Sequence, residues 1–149
     1  MSSRLGLSIR AADNGDVDGL VALLSTAGQT MARDKLALRL KAIQDQPGLL
    51  LIADEWGPPS GVIVVHWHSV LTADQKVGWI STLLVDPERR RNGVARVLLK
   101  AASQAARLAG CGDLVLHAPI APGDLRAFCL ATGFVESGEL LTRALRKRS

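Results

Sequence analysis

The segment that most constrains this fold is VDPERRRNGVARVLLKAA, residues 85–102. An apolar run ends at Asp86 and Pro87, three arginines follow, and a helical pattern starts directly after Asn92 and Gly93. A strand that leads through a glycine turn into a helix is typical of a β-α-β crossover. The free backbone amides and the dipole at the start of such a helix favour an anion, typically a phosphate. The segment therefore predicts an α/β fold with an anion site, although a solvated run of arginines at an ordinary turn is the alternative.

Length and composition indicate one globular domain spanning residues 1–149. The chain has 149 residues, of which 48% are hydrophobic and 21% charged, which is ordinary for such a domain. No apolar run approaches the roughly 20 residues that span a bilayer, and the N-terminal MSSRLGLSIR lacks a signal-peptide pattern. Two cysteines are too few for a disulfide scaffold or a zinc site. We therefore expect a cytoplasmic protein with no membrane partner and no metal.

The charge balance argues against a nucleic-acid partner. The net charge is +4, from 18 basic and 14 acidic residues, and aromatic residues make up only 3% of the chain. A nucleic-acid-binding protein usually shows a broader basic face or aromatic residues available for stacking. No tyrosine is present, which bears on the chemistry below.

Apolar periodicity predicts the element order β-α-α-β-β-β-α-β-α-β, with antiparallel strands followed by the crossover. This is a mixed α/β class: a central, mostly antiparallel sheet with flanking helices. In the helix that follows Gly93, one apolar face is expected to comprise Val94, Val97, Leu98, Ala101, Ala105 and Leu108. The predicted strands are 7–11, 49–53, 61–70, 78–85, 114–117 and 135–145, and the predicted helices are about 13–24, 32–44, 93–109 and 124–131.

The segment RRNGVA, residues 90–95, fits the (Gln/Arg)-x-x-Gly-x-(Gly/Ala) signature of the GNAT family of acetyl-CoA-dependent N-acyltransferases. The flanking LVDPER and VLL also resemble that family. So do IRAA at 9–12 with Asp16, and the late segment from Ala127 to Phe134. The likeness covers nearly all of residues 7–145 and is greatest to small bacterial amine acetyltransferases, including aminoalkylphosphonate and aminoglycoside N-acetyltransferases.

The resemblance implies a reaction and a cofactor site. It implies direct transfer of an acetyl group from acetyl-CoA to a primary amine of a small molecule, within a ternary complex. Backbone amides of residues 91–95 would cradle the pyrophosphate of coenzyme A, and residues 83–85 would pair with its pantetheine arm. Family members often dimerise through late strands, so a homodimer is possible. The implied cofactor-binding residues are Leu83, Leu84, Val85, Arg90, Arg91, Asn92, Gly93, Val94 and Ala95.

The usual base of the family is missing, since the strand before the signature, GWISTL at 78–83, has no carboxylate. Histidine is the natural replacement because its pKa of about 6.5 lies near operating pH. His117 ends the strand after the signature helix, where the family's strands part beside the thioester. His66 and His68 are two apart and therefore share one face of a strand. His117, the His66/His68 pair, and water-mediated or unassisted deprotonation are three alternatives.

The usual acid of the family is also missing, because the slot of its tyrosine holds Cys129. A thiol with a pKa near 8.5 can donate a proton, but cysteine is also a common small buried apolar residue, and water is the alternative acid. Asp54 and Glu55 lie in a hairpin loop and are expected to be solvated. If base and acid are both absent, a catalytically weak or inactive acyl-CoA-binding regulatory or interaction domain becomes the alternative function.

Little in the sequence identifies the acceptor. The chain shows no acidic cluster for a polycationic aminoglycoside, so a small amine or amino acid is favoured. A phosphonate acceptor could use Arg33 or Arg39. Trp67 and Trp79 could wall the site, although tryptophans on strands more often belong to the core.

Overall fold

The computed structural model describes residues 7–89, 93–117, 124–138 and 140–145. The elements follow the predicted order as far as the fourth helix, and their bounds differ from the predicted ones by a few residues. The strands are β1 Ser8–Ala11, β2 Gly48–Asp54, β3 Gly61–His68, β4 Lys76–Val85 and β5 Cys111–Leu116. The helices are α1 Val17–Thr26, α2 Arg33–Gln44, α3 Val94–Leu108 and α4 Asp124–Ala131.

The five strands form one sheet in the order β1-β2-β3-β4-β5. The pairs β1–β2, β2–β3 and β3–β4 are antiparallel, and β5 is parallel to β4 because α3 carries the chain back across the sheet. This is the expected mixed α/β architecture with a β-α-β crossover. None of the helices in the described ranges is long and apolar enough to cross a membrane.

Helices α1 and α2 cover one face of the sheet. Leu50, Ile52, Val62 and Val64 point to this face from β2 and β3 and pack with the apolar sides of the two helices. The helical members of this cluster that are almost fully buried include Leu20, Leu23 and Leu40, which are at most 4% exposed. Burial of each such side chain stabilises the folded state by roughly 1.5–3 kcal/mol, so this layer holds the two helices against the sheet.

Helix α3 covers the opposite face, but with a different side from the predicted one. Its buried residues are Val94, Leu98, Leu99, Ala102 and Ala106, whereas Leu108 is 90% exposed. Four of these buried residues are spaced by four and form one column along the helix: Val94, Leu98, Ala102 and Ala106. This column faces the sheet because its two alanines allow the helix to approach closely. The predicted apolar face was therefore correct at Val94 and Leu98 and wrong at Leu108, since the buried side is rotated about the helix axis from the predicted one.

Gly61 lets the start of α3 approach the sheet. A Cβ atom at this position would lie 2.8 Å from Cγ1 of Val94 and 2.9 Å from Cδ1 of Leu98. Gly61 is also paired with Val85, the last residue of β4. The absence of a side chain at Gly61 thus places the first turn of α3 close to the end of β4.

Residues from His117 onward form a second compact unit. Helix α4 ends at a turn in which Gly133 has φ +102° and the amide of Phe134 donates to the carbonyl of Cys129 at 3.0 Å. Arg126 and Glu136 form an ion pair within this unit. The strand predicted for 135–145 is not formed at the described positions of that range. An alternating apolar pattern is not enough for a strand, because the backbone also needs a hydrogen-bonding partner.

Candidate functional site: the divided strand β4

Strand β4 has two different halves. From Val77 to Ile80 it pairs with both β3 and β5, but within the described residues its ladder with β5 ends at the pair Ile80–Leu116. From Ser81 to Val85 the strand continues along β3 with no described β5 residue beside it. That edge offers backbone donors and acceptors to an extended ligand, as the edge of a sheet does to an added strand. Leu83, Leu84 and Val85 lie in this half.

Helix α3 begins just beyond the open half of β4. Gly93 is its N-cap with φ +79°, a left-handed conformation that favours glycine, and has no side chain to cap the helix. The first helical bond runs from the amide of Val97 to the carbonyl of Gly93, so the amides of Val94 and Ala95 precede the helical ladder. A phosphate is well suited to this end of the helix. Arg90, Arg91 and Asn92, also expected at this site, lie outside the described residues.

The chain that leads into this turn is tied to the β2–β3 connection. Nη1 of Arg89 donates to Oε1 of Glu55 at 2.6 Å, and the amide of Asp86 donates to the carbonyl of Ser60 at 2.8 Å. The Glu55 side chain is only 17% exposed, so the expectation that it is solvated was wrong. Because Glu55 compensates its charge, Arg89 contributes less to the positive field of the loop than the sequence suggested.

Asp54, the second acid expected to be solvated, is also paired. It accepts from Arg10 at 3.2 Å, and the same guanidinium donates to both oxygens of Asp16. The hydrogen bond from Arg10 lowers the pKa of the Asp16 carboxyl below its ordinary value. These groups and Asp18 line an open cavity of about 420 Å³. Arg33, proposed for a phosphonate, pairs with Asp18 at 2.7 Å.

His66 lies at the point where the two halves of β4 meet. Its Nε2 is 2.8 Å from Oγ of Ser81, and its ring centroid is 5.7 Å from that of Trp79. Val64 pairs with Thr82 and Val65 with Ile80, so Ser81 is the extra residue of a β-bulge. Burial lowers the pKa of His66 below 6.5, which keeps the imidazole neutral and able to accept a proton at neutral pH.

The backbone of β2 lies close to that of β3 opposite His66. Gly48 is opposite His66 and has φ +145°. A Cβ atom on Gly48 would lie 2.2 Å from the carbonyl oxygen of Val65. Since no side chain fits there, Gly48 itself contributes no charge opposite His66.

The other two histidines occupy different positions. His68 is exposed and pairs with Val77, farther from the point where the β4–β5 ladder ends. His117 directly follows the last residue of β5 and is exposed, in the second unit. Of the three candidates, His66 is thus the one with a described side-chain hydrogen bond to the divided strand.

Cys129 is buried in α4, and burial raises the pKa of its thiol above the ordinary value. It is therefore protonated at neutral pH. This is compatible with a proton donor and equally with a small apolar residue. The described part of the chain contains no group of three or more His, Cys, Asp or Glu that could hold a metal ion.

Sequence reasoning did not identify Ser81, Glu55 or Gly61 as parts of this region, and left Trp79 between the site and the core. Trp79 is 47% exposed, so of the two alternatives the core one does not hold for it. Ser81 and Glu55 become relevant through partners 15 and 34 residues away, which no local pattern reveals. The one available signal was that His66 and Ser81 lie on consecutive predicted strands.

The strand edge and the helix start together fit a coenzyme A molecule: one supplies backbone pairing for an extended amide-containing arm, the other amides for a pyrophosphate. A family model of the acetyltransferase (GNAT) family matches residues 20–131. The chain belongs to this family of N-acetyltransferases, which use acetyl-CoA. No curated protein gives a significant match to the whole sequence.

Several solved structures share this fold. An aminoglycoside N-acetyltransferase in complex with CoA is 19% identical, with a TM-score of 0.81 and 95% of each chain covered. Glucosamine-6-phosphate N-acetyltransferase from Arabidopsis thaliana is 15% identical, with a TM-score of 0.79, covering 94% of this chain and 99% of its own. A transcriptional regulator from Bacillus halodurans is 21% identical, with a TM-score of 0.83, covering 93% and 99%. Likeness at this level of identity shows the shared fold alone.

Proposed function

We propose that this protein transfers an acetyl group from acetyl-CoA to a primary amine of a small molecule, directly and within a ternary complex. The observation that carries the proposal is the division of β4, with an open strand edge at Ser81–Val85 and the amide-rich start of α3 next to it. Amine and thioester held together at this division would gain much of the rate from proximity alone.

Leu83, Leu84 and Val85 pair through their backbone with the pantetheine arm, and the turn 90–95 binds the pyrophosphate. In this proposal Glu55 holds Arg89, and thereby the entry to the turn, in place. Bound acetyl-CoA supplies the acetyl group as an activated thioester.

His66 acts as the proton acceptor. A proton leaves the attacking ammonium and reaches Nε2 of His66, either directly or through the hydroxyl of Ser81, which gives its own proton to Nε2 as it takes one from the amine. The 2.8 Å contact between Nε2 and Oγ supports this relay, and the lowered pKa of His66 keeps the acceptor neutral. The amine nitrogen then forms the new bond to the acetyl carbon while the carbon–sulfur bond breaks. The nitrogen releases its second proton in this step, and that proton replaces the one given to the leaving sulfur.

The leaving sulfur requires a proton, which Cys129 or water donates. The burial-raised pKa of the Cys129 thiol supports its being protonated when the reaction begins. Cys129→Ser keeps a donor of similar size and Cys129→Ala removes it. If kcat falls in the alanine variant and not in the serine variant, the donor is Cys129. If both variants keep the native kcat, the donor is water.

Two measurements on the full chain test the proposed function. The first is thermal unfolding with acetyl-CoA at about 100 times its Kd, which should stabilise the protein by roughly 2.7 kcal/mol, or roughly 5–10 °C. An unrelated polyanion of similar charge should not do so. The second is release of thiol from acetyl-CoA with a panel of amines. Stabilisation without amine-dependent release would contradict catalysis and favour a non-catalytic acyl-CoA-binding domain.

A further inference from the structure

An exposed apolar patch lies on the sheet beside His66. Trp79 on β4 is 47% exposed and Val115 on β5 is 49% exposed, and the two residues are directly paired across the parallel ladder. Opposite residues of paired strands point to the same face, and the ring contact between Trp79 and His66 places all three on it. We define the Trp79–Val115 patch as these two side chains.

Few charges accompany this patch. Continuing along the same face, the next paired residues are His68, Val77 and Asp113. Within the described strands, Asp113 is the one charged side chain on this stretch of the face, and it is exposed. The acidic residues of the chain that cluster elsewhere, around Arg10, are already paired with arginines.

We propose that the Trp79–Val115 patch selects acceptors in which the primary amine carries an aromatic or bulky apolar group. This inference rests on the proposed function, with His66 as the proton acceptor. It names the class of amine that the same site takes: an arylalkylamine rather than a polycationic aminoglycoside.

The reason is the distance between the two rings. An amine nitrogen within hydrogen-bonding reach of His66 or Ser81 has its substituent close to Trp79, whose ring centroid is 5.7 Å from that of the imidazole. An aromatic substituent would remove the exposed indole and valine surfaces from water and gain a favourable ring contact. A polycation would lose hydration at several ammonium groups, with Asp113 on this stretch of the face and Asp74 in the loop before β4 to compensate.

The test measures kcat/KM by thiol release for 2-phenylethylamine, ethylamine and a polycationic aminoglycoside. In the native protein, 2-phenylethylamine should be preferred over ethylamine by at least about tenfold, the scale that an apolar pocket provides. Trp79→Ala should reduce this ratio towards one through a higher KM for 2-phenylethylamine. The KM for acetyl-CoA should stay unchanged.

Two further variants separate selection from folding. Trp79→Phe keeps an aromatic ring and should keep most of the preference. Trp56→Ala removes another exposed tryptophan, 75% exposed in the β2–β3 connection, and should leave the ratio at its native value. The stabilisation of Trp79→Ala by acetyl-CoA, measured by thermal unfolding, checks that this variant retains the cofactor site.

Each outcome decides one of the two proposals. Acetylation of ethylamine or of the aminoglycoside with no preference for 2-phenylethylamine would overturn the aromatic selection and leave the transferase proposal standing. The same holds if Trp79→Ala lowers kcat/KM for all amines equally, or changes the oligomeric state without changing selectivity. No acetylation of any amine, despite binding of acetyl-CoA, would instead overturn the proposed function.

Discussion

The two halves of β4 differ in what lies beside them. From Val77 to Ile80 the strand is enclosed between β3 and β5, whereas from Ser81 to Val85 it has β3 on one side and none of the described residues paired on the other. In the enclosed half, the backbone donors and acceptors are paired with the neighbouring strands. The open half keeps a row of them available, and the start of α3 adds more at its end.

The proposed site arises because β4 extends farther than the β5 strand beside it. Both halves have ordinary strand sequences, KVGWI and STLLV, and neither contains a carboxylate. The bulge at Ser81 marks the boundary, and the side chain of His66 reaches it from β3. Chemistry is therefore expected at the boundary, cofactor binding along the open half, and mainly structural effects in the enclosed half.

The largest expected effect is at the boundary. His66→Asn removes the proton acceptor, and general-base catalysis typically contributes 100-fold or more, so kcat should fall roughly 100-fold while KM for acetyl-CoA changes little. The same change at His68 and at His117 compares the three candidate histidines, with kcat measured by thiol release at saturating substrates. A larger loss at His117 or His68 than at His66 would move the base away from the boundary.

A matched pair of glycines distinguishes the open half from the enclosed half. Gly61→Ala would push on Val94 and Leu98 at the start of α3, and Gly78→Ala would meet Cδ2 of Leu114 at 2.7 Å within the enclosed half. Overpacking of this kind costs about 1–3 kcal/mol, so the free energy of unfolding should fall in both variants. Only Gly61→Ala should also raise KM for acetyl-CoA, by roughly tenfold, because it displaces the helix start.

Measurement of both quantities in both variants sharpens this comparison. Urea unfolding gives the free energy of unfolding, and initial rates at varied acetyl-CoA give KM. Equal KM changes in the two variants would mean that cofactor binding depends on overall stability rather than on the position of α3.

The smallest expected effect concerns the tie between Glu55 and Arg89. Glu55→Gln weakens the pairing and loosens the entry to the turn, so KM for acetyl-CoA should rise a few-fold, since a partly exposed ion pair contributes about 1 kcal/mol or less. Asp18→Asn breaks the more exposed pair with Arg33 and serves as the control, with no expected change in KM. If Glu55→Asp does not restore part of the affinity, the tie does not position the turn.

Much of the fold was predictable because its signals are local. The apolar periodicity predicted four helices and the first five strands at nearly the observed places. Their ends were indicated by local signals such as Pro47 with Gly48 after α2 and Gly93 before α3. The same pattern predicts an anion at the start of α3, and this stays a prediction. The tail strand was predicted wrongly, because pairing depends on a partner strand that sequence periodicity does not reveal.

The chemistry of the site was only partly predictable. Alternation placed His66 and His68 on one face, but the choice between them depends on strand register, which a single bulge changes. The exposure of Trp79 depends on which side chains stand opposite it on β5. The pairing of Glu55 with Arg89 depends on a hairpin that meets the turn 34 residues later. Each of these is a long-range consequence of the sheet.

The most direct test of His66 at the boundary is the pH dependence of kcat at saturating amine and acetyl-CoA. Protonated His66 cannot accept a proton, so the rate should fall as pH decreases through its pKa. Because burial lowers that pKa, the midpoint should lie below 6.5. His66→Asn should abolish this inflection and leave a low, flatter profile. An inflection that persists unchanged in His66→Asn would contradict the assignment of His66 as the proton acceptor.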